Sequence, residues 1–187
     1  AFIKQVEFQK RVKQLKENNE LGLHGSFSSY KDQGSVDREK KKLESITHNN
    51  INAFRMHFLR FQYENTFRIL EALNISDDYS TGFADVIGFP YLTVYPVKYY
   101  DHKNDRAGRL YLHTTHVMDR SLKNLYHEDF DSALSAVKQI IDNCKNAQGE
   151  FVLLWHNSSF ATFEGWNNQW KRLFEEIVSY AKSNSSA

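Results

Sequence analysis

Residues 151–160 read FVLLWHNSSF, and this stretch decides the fold class. Phe151, Val152, Leu153 and Leu154 form an unbroken apolar run, preceded by Gly149-Glu150 and followed by the polar pair Ser158-Ser159. A short run bounded by turn residues has the pattern of a strand buried on both faces, as in a parallel sheet covered by helices. Trp155 and His156 then stand where such a strand would emerge from the core. In open α/β sheets and α/β barrels, ligands gather at the carboxyl ends of parallel strands. An imidazole there is placed for proton transfer. Taken alone, it is equally compatible with a histidine satisfied by a neighbouring carbonyl.

The run is flanked by two amphipathic helices. Residues 129–145 carry an apolar stripe of Phe130, Leu134, Val137, Ile141 and Cys144, with acids at the start, where the helix dipole favours them. Residues 164–182 turn Trp166, Trp170, Leu173, Phe174, Ile177 and Val178 inward. Toward the amino terminus the pattern repeats. A surface helix over 3–16 precedes a short strand, 21–24, that ends in His24. A helix over 34–46, with Ser35 as its N-cap, leads to the mixed segment 51–61. A helix over 64–73 leads to a strand over 75–79 and the loop 80–85, STGFAD. Residues 88–100 hold both prolines and are expected to be an extended loop, with a charged turn over 101–108 and a strand over 109–119. Strands alternating with helices predict βαβ units and a mainly parallel sheet. With no repeat and no linker, the whole chain, 1–187, reads as one domain.

The charges nearly cancel at +1, so electrostatics gives no case for nucleic acid or an acidic membrane surface. The basic run 38–42 lies in a predicted helix and reads as a solvated face. No apolar run approaches the roughly 20 residues of a membrane-spanning helix. Cys144 is the only cysteine, which excludes an internal disulfide and fits a small buried hydrophobe. Aromatic residues are frequent, with 14 Phe, 10 Tyr and 3 Trp, many beside Asn, Asp, His and Arg. That mixture suits a carbohydrate cleft, which needs flat faces for sugar rings and polar groups for hydroxyls; it also suits an aromatic core.

Two segments concentrate titratable groups. In INAFRMHFLRF (51–61), Arg55, His57 and Arg60 alternate with Phe54, Met56, Phe58, Leu59 and Phe61. Two guanidiniums and an imidazole among so many apolar side chains are costly unless they meet carboxylates or ligands, so the segment reads as a cleft wall or as buried structural pairing. In RLYLHTTHVMD (109–119), His113, His116 and Asp119 recur at spacings of three, a candidate metal set. Residues three apart on a strand face opposite sides, so only a subset can converge.

Taken in order, GLHGSF with His24, FRMHFLRF with Arg55, His57 and Arg60, DYSTGF with Asp78 and Phe83, and FVLLWH with Leu154 and His156 resemble the later motifs of the polysaccharide deacetylases, the NodB-like carbohydrate esterases. HVMDRSL and WHNSSF fit a divergent bacterial deacetylase-like subgroup, and the resemblance covers the chain from about His24 to Trp170. It implies an incomplete or distorted (β/α) barrel, an α/β fold with mainly parallel strands. It implies a divalent metal, often zinc, which polarises an acetyl carbonyl and activates water. The partner would be a carbohydrate or polysaccharide, and a bacterial cytoplasmic or cell-envelope location stays open. On this resemblance His24 matches the first metal histidine, and His57 and His116 are candidates to share the ion. Arg55 matches the arginine that orients the catalytic base, and His156 matches the histidine acid. Arg60, Phe83, Asp85, Leu154 and Trp155 would line the substrate groove, with Leu154 at the acetyl group.

The departures are specific. No strand ending in paired aspartates precedes His24, Ser28 stands where the second metal histidine is expected, and His57 takes a place usually held by proline. The chain is therefore expected either to be the C-terminal part of a longer protein, which is the favoured reading, or to have lost the standard site. Three readings follow: a metal-assisted deacetylase, an inactive deacetylase-fold module that binds polysaccharide, and a structural element whose histidines are core fixtures.

Overall fold

The alternation of strands and helices is realised as a mixed α/β fold in the computed structural model, which describes residues 6–161 and 165–183. Contacts divide the chain into two compact units. One comprises the chain up to Ser80 together with Val97–His113; the other comprises Thr81–Pro96 and the chain from Thr114 onward. No composition shift marks these divisions, because two of them fall inside strands and the third directly before one, rather than in a linker.

The first unit is built on a five-stranded sheet in the order β1-β2-β3-β5-β4, comprising β1 (Leu23–Gly25), β2 (Ala53–Met56), β3 (Asp77–Gly82), β4 (Val97–Asp101) and β5 (Arg106–Thr115). Strands β1 and β2 pair parallel, as do β2 and β3; β4 and β5 pair antiparallel. Leu23 faces Phe54 and Gly25 faces Met56 in register, and these residues turn to the buried face. There they meet Val36 of α2 (Gln33–Thr47) and Phe67 and Leu70 of α3 (Tyr63–Ala72), in a core joined by Tyr99, Leu110 and Leu112. The next residue in register, His24 opposite Arg55, points to the other face, as the pleat requires. Helix α1 (Val6–Glu17) has no buried residue; the first part of its expected span, 3–5, lies outside the described residues.

The second unit packs α4 (Asp119–Tyr126), α5 (Phe130–Asn146) and α6 (Asn168–Ser183) around the parallel pair β6 (Val117–Met118) and β7 (Leu153–Leu154). Leu122, Val137, Ile141, Trp170, Leu173 and Ile177 form its core. Cys144 is buried among them, and desolvation, with Glu150 nearby, pushes its thiol up to about 11.

Several sequence expectations are revised. Residues 151–156 are not a strand buried on both faces: only Leu153–Leu154 pairs, and burial alternates, with Val152 and Leu154 inside. The expected loop 88–100 contains the first part of β4, which starts directly after Pro96. The expected strand 109–119 starts earlier, at Arg106, and Asp119 already begins α4, a helix the sequence reading passed over. The cap of α2 is Asp32, whose side chain accepts from the Gly34 N–H, rather than Ser35. Among the described residues the strands form an open five-stranded sheet and a separate two-stranded one. The N-terminal residue expected for the last helix, Glu164, lies outside the described residues, and the helix is described from Asn168.

Candidate functional site

In the first unit the parallel strands β1 and β2 end at one rim, and two histidines meet there. His24 sits within β1, and His57 follows the last residue of β2. His24 Nε2 lies 3.1 Å from His57 Nδ1, with the rings perpendicular. Arg55 stands beside them on the same face. Its Nε donates to the Tyr79 carbonyl at 3.1 Å, and its guanidinium lies 5.7 Å from the Tyr79 ring centroid. Burial lowers the Arg55 pKa from its ordinary value, opposed by Asp78. A groove of about 340 Å³ is lined on this face by Glu20, His24, Ala53, Arg55 and Tyr79 among others.

Behind the rim, Asp78 is fully buried. It accepts from the Ser80 N–H at 2.9 Å and from the Ser80 hydroxyl at 2.6 Å, while Ser80 Oγ accepts from the Met56 N–H at 2.8 Å. This chain of bonds fixes the end of β2 immediately before His57. Desolvation raises the Asp78 carboxyl to about 6, although the Ser80 bonds and the Arg55 charge pull it down. His113 pairs with Asp77 at 2.9 Å and stacks on Tyr79 with ring centroids 4.3 Å apart. It is therefore engaged with Asp77 and Tyr79, and His116 and Asp119 have partners of their own.

In the second unit, Asp119 and His156 form a couple 37 residues apart. Asp119 has no exposed surface. Its Oδ1 lies 2.7 Å from His156 Nδ1, its Oδ2 accepts the His156 backbone N–H at 2.8 Å, and the Ser159 hydroxyl donates to the same oxygen. Burial acts to raise the Asp119 pKa, but the bonds from His156 and Ser159 outweigh it and hold the carboxyl below its ordinary value. A carboxylate held ionised accepts from Nδ1–H, which fixes the tautomer and leaves Nε2 as the reactive nitrogen. Nε2 has no protein partner among the described residues, and the side chain is 30% exposed.

The remaining candidates divide clearly. His116 is buried: Nδ1 accepts the Val152 N–H at 3.1 Å and Nε2 lies 3.2 Å from Thr114 Oγ1, so both ring nitrogens are spent within the protein. Desolvation lowers its pKa from the ordinary value. Its geometry is that of a fold-holding imidazole. Phe83 and Asp85 are exposed, in a loop whose Phe83 and Ala84 carbonyls accept from the Ser121 hydroxyl. Leu154 is buried in β7. Trp155 packs against Phe174 with ring centroids 5.3 Å apart, and its Nε1 is buried without a partner among the described residues. Arg60 lies in the first unit between Phe27 and Tyr30.

Asp119 and Ser159 were missed as partners of His156. The signal was the parallel register of β6 and β7: Met118 opposite Leu154 carries the next residue, Asp119, toward the segment that bears His156.

A zinc ion holds imidazole nitrogens at about 2.0–2.1 Å, which in tetrahedral geometry separates two of them by roughly 3.3 Å. The 3.1 Å between His24 and His57 is close to that separation. Among the described residues no group of three or more His, Cys, Asp or Glu side chains could hold a metal ion. The two nitrogens hydrogen-bond one another, and among the described residues no third His, Cys, Asp or Glu joins them. No described helix is long and apolar enough to cross a membrane.

The chain matches no protein-family profile and no curated protein. It is similar in structure to a Mycobacterium smegmatis protein whose crystal structure carries a provisional assignment as a polysaccharide deacetylase. The TM-score is 0.59 at 12% sequence identity, over 96% of this chain and 62% of that one. The fold is like that of the Mycobacterium smegmatis protein. At this identity the likeness speaks for the fold alone, and the chain spans 62% of the length of that protein.

Proposed function

We propose that this deacetylase-like chain takes part in hydrolysing acyl groups, acetyl above all, from a carbohydrate. The observation that carries the reading is the Asp119–His156 couple: a buried carboxylate fixes the imidazole through Nδ1 and turns Nε2 outward. A general acid must hand its proton to the leaving nitrogen or oxygen as the acyl bond breaks. His156 would do so from Nε2. Asp119, held ionised, would stabilise the imidazolium before transfer and keep the tautomer correct after it. In the first unit, His24 and His57 are the residues that would hold a divalent ion, which would supply a Lewis acid. Arg55, stretched along the sheet beside them, would orient an anionic group in the groove.

The incomplete donor set favours a second reading, a polysaccharide-binding module without turnover, because the described residues bring only two imidazoles together for a metal. Acetate release from acetylated glucosamine oligomers, measured on the purified protein with and without zinc, separates the two. Zinc-dependent acetate release supports the hydrolase. Oligomer binding with no acetate under either condition supports the module, and neither binding nor release contradicts both.

A further inference from the structure

Beside the histidine pair lies a strip that neither role uses. Arg60 is held between two rings, its guanidinium carbon 4.6 Å from the centroid of Phe27 and 4.4 Å from that of Tyr30. Tyr30 is buried, and its carbonyl accepts from the buried Thr66 hydroxyl at 2.6 Å, so this wall is fixed. On the other side Phe27 meets Phe58 edge-on at 5.9 Å, and Phe58 meets the His57 ring at 4.4 Å. The strip therefore runs without a break from Arg60 to the histidines.

Two features mark it as more than surface. Phe58 is 75% exposed and Phe27 54%, so two flat apolar faces are open to water beside a charged group. Phe58 and Leu59 also hold left-handed backbone, with φ of 59° and 51°. For bulky residues this costs about 1–2 kcal/mol each, and such strain concentrates where side chains must be presented to ligands. Here it turns Phe58 outward. Among the described residues no carboxylate pairs with Arg60, although the stacked guanidinium still offers its fork of N–H donors. A planar carboxylate is the group that matches that fork.

We propose that this rim binds a uronic acid residue of an acidic polysaccharide, with the sugar's C–H face on Phe58, the edge of the sugar against Phe27 and its carboxylate on Arg60. The proposal rests on the carbohydrate reading above and names the substrate class. A neutral saccharide uses the rings but leaves the guanidinium without a partner.

Calorimetric titration compares two tetrasaccharides that share N-acetylglucosamine: one alternating with glucuronic acid, one of N-acetylglucosamine alone. The wild type binds the acidic oligomer more tightly. Arg60→Met, which keeps the packing between the rings, lowers that affinity about tenfold and leaves the neutral oligomer within about twofold. Arg60→Lys restores only part of the loss, because it lacks the planar fork. Phe58→Ala weakens both oligomers. Binding of the two oligomers with equal affinity, or equal losses for both in Arg60→Met, overturns the acidic-sugar assignment while leaving the carbohydrate reading standing. Binding of neither oligomer overturns both.

Discussion

His156 Nδ1 lies 2.7 Å from Asp119 Oδ1, and the backbone N–H of the same histidine donates to the second oxygen of the same carboxylate at 2.8 Å. One buried carboxylate thus holds both the ring and the main chain of one residue, so the direction of the imidazole is determined twice. The Ser159 hydroxyl and the Arg120 backbone N–H complete the set. Four donors around a fully buried carboxylate have consequences for stability as well as for chemistry.

Asp119→Asn replaces a carboxylate that accepts four hydrogen bonds by a neutral amide, and should cost about 3 kcal/mol at neutral pH. The folded Asp119 pKa is depressed, so its contribution is fully present above the unfolded carboxylate range near pH 4 and is lost as pH falls through the folded value. Urea unfolding at a series of pH values should show a steeper acid limb for the wild type than for Asp119→Asn. Parallel limbs would mean that the couple contributes nothing specific.

Asp78 works in the opposite sense. Burial raises its carboxyl to about 6, so between roughly pH 4 and 6 the folded state holds more protons than the unfolded chain. Stability from this group therefore falls as pH rises through that window, by on the order of 3 kcal/mol. Asp78→Asn should flatten that part of the pH–stability curve, because the asparagine carbonyl can still accept from Ser80. A wild-type curve already flat between pH 4 and 6 would contradict the charge burial.

Gly108 lies where β5 passes Glu71 and Tyr99. A Cβ there would come within 2.6 Å of Glu71 Oε1 and 2.8 Å of Tyr99 Cδ1. Neither can retreat easily: Glu71 is buried and accepts the Arg109 and Leu110 N–H groups, and Tyr99 has no exposed surface. Gly108→Ala should cost about 1–3 kcal/mol by overpacking, read as a lowered urea midpoint. An unchanged midpoint would show that the β5 start is looser than its contacts indicate.

Zinc competition against a chromophoric chelator tests the histidine pair. His24→Ala and His57→Ala should each weaken binding at least about tenfold, and wild-type binding should tighten as pH rises, because protons compete for the same nitrogens. His116→Ala should leave the zinc affinity unchanged, since both nitrogens of that ring are engaged within the protein. Equal affinities in all three variants would remove His24 and His57 from the metal reading.

What could be read from the chain follows the range of the interactions involved. Helix α5 was plain, because Phe130, Val137, Ile141 and Cys144 repeat at helical spacing and the N-cap Asp129 is local. Strand β4 was hidden by the two prolines of 88–100, which suggested a loop, although Pro96 only precedes the strand and leaves its N–H ladder intact. Helix α4 was hidden because the β-branched and aromatic run before it continues without a turn signal into Asp119. The apolar run 151–154 was read correctly as entering a core and wrongly as covered on both faces, since a run of four cannot show which side its neighbours lie on. At the candidate site, the place of His24 in a short strand was legible from the sequence, whereas the strand that ends just before His57 was hidden in the mixed segment 51–61. The partnership of Asp119 with His156 was not legible, because it depends on the β6–β7 register.

The most direct measurement is the turnover number for acetate release by His156→Gln against wild type, on acetylated glucosamine oligomers with zinc present. Glutamine keeps the side chain polar but cannot donate a proton as an acid, so kcat should fall by about 10²–10⁴ with oligomer affinity little changed. A kcat equal to that of the wild type would contradict the assignment of proton transfer to the imidazole that Asp119 holds.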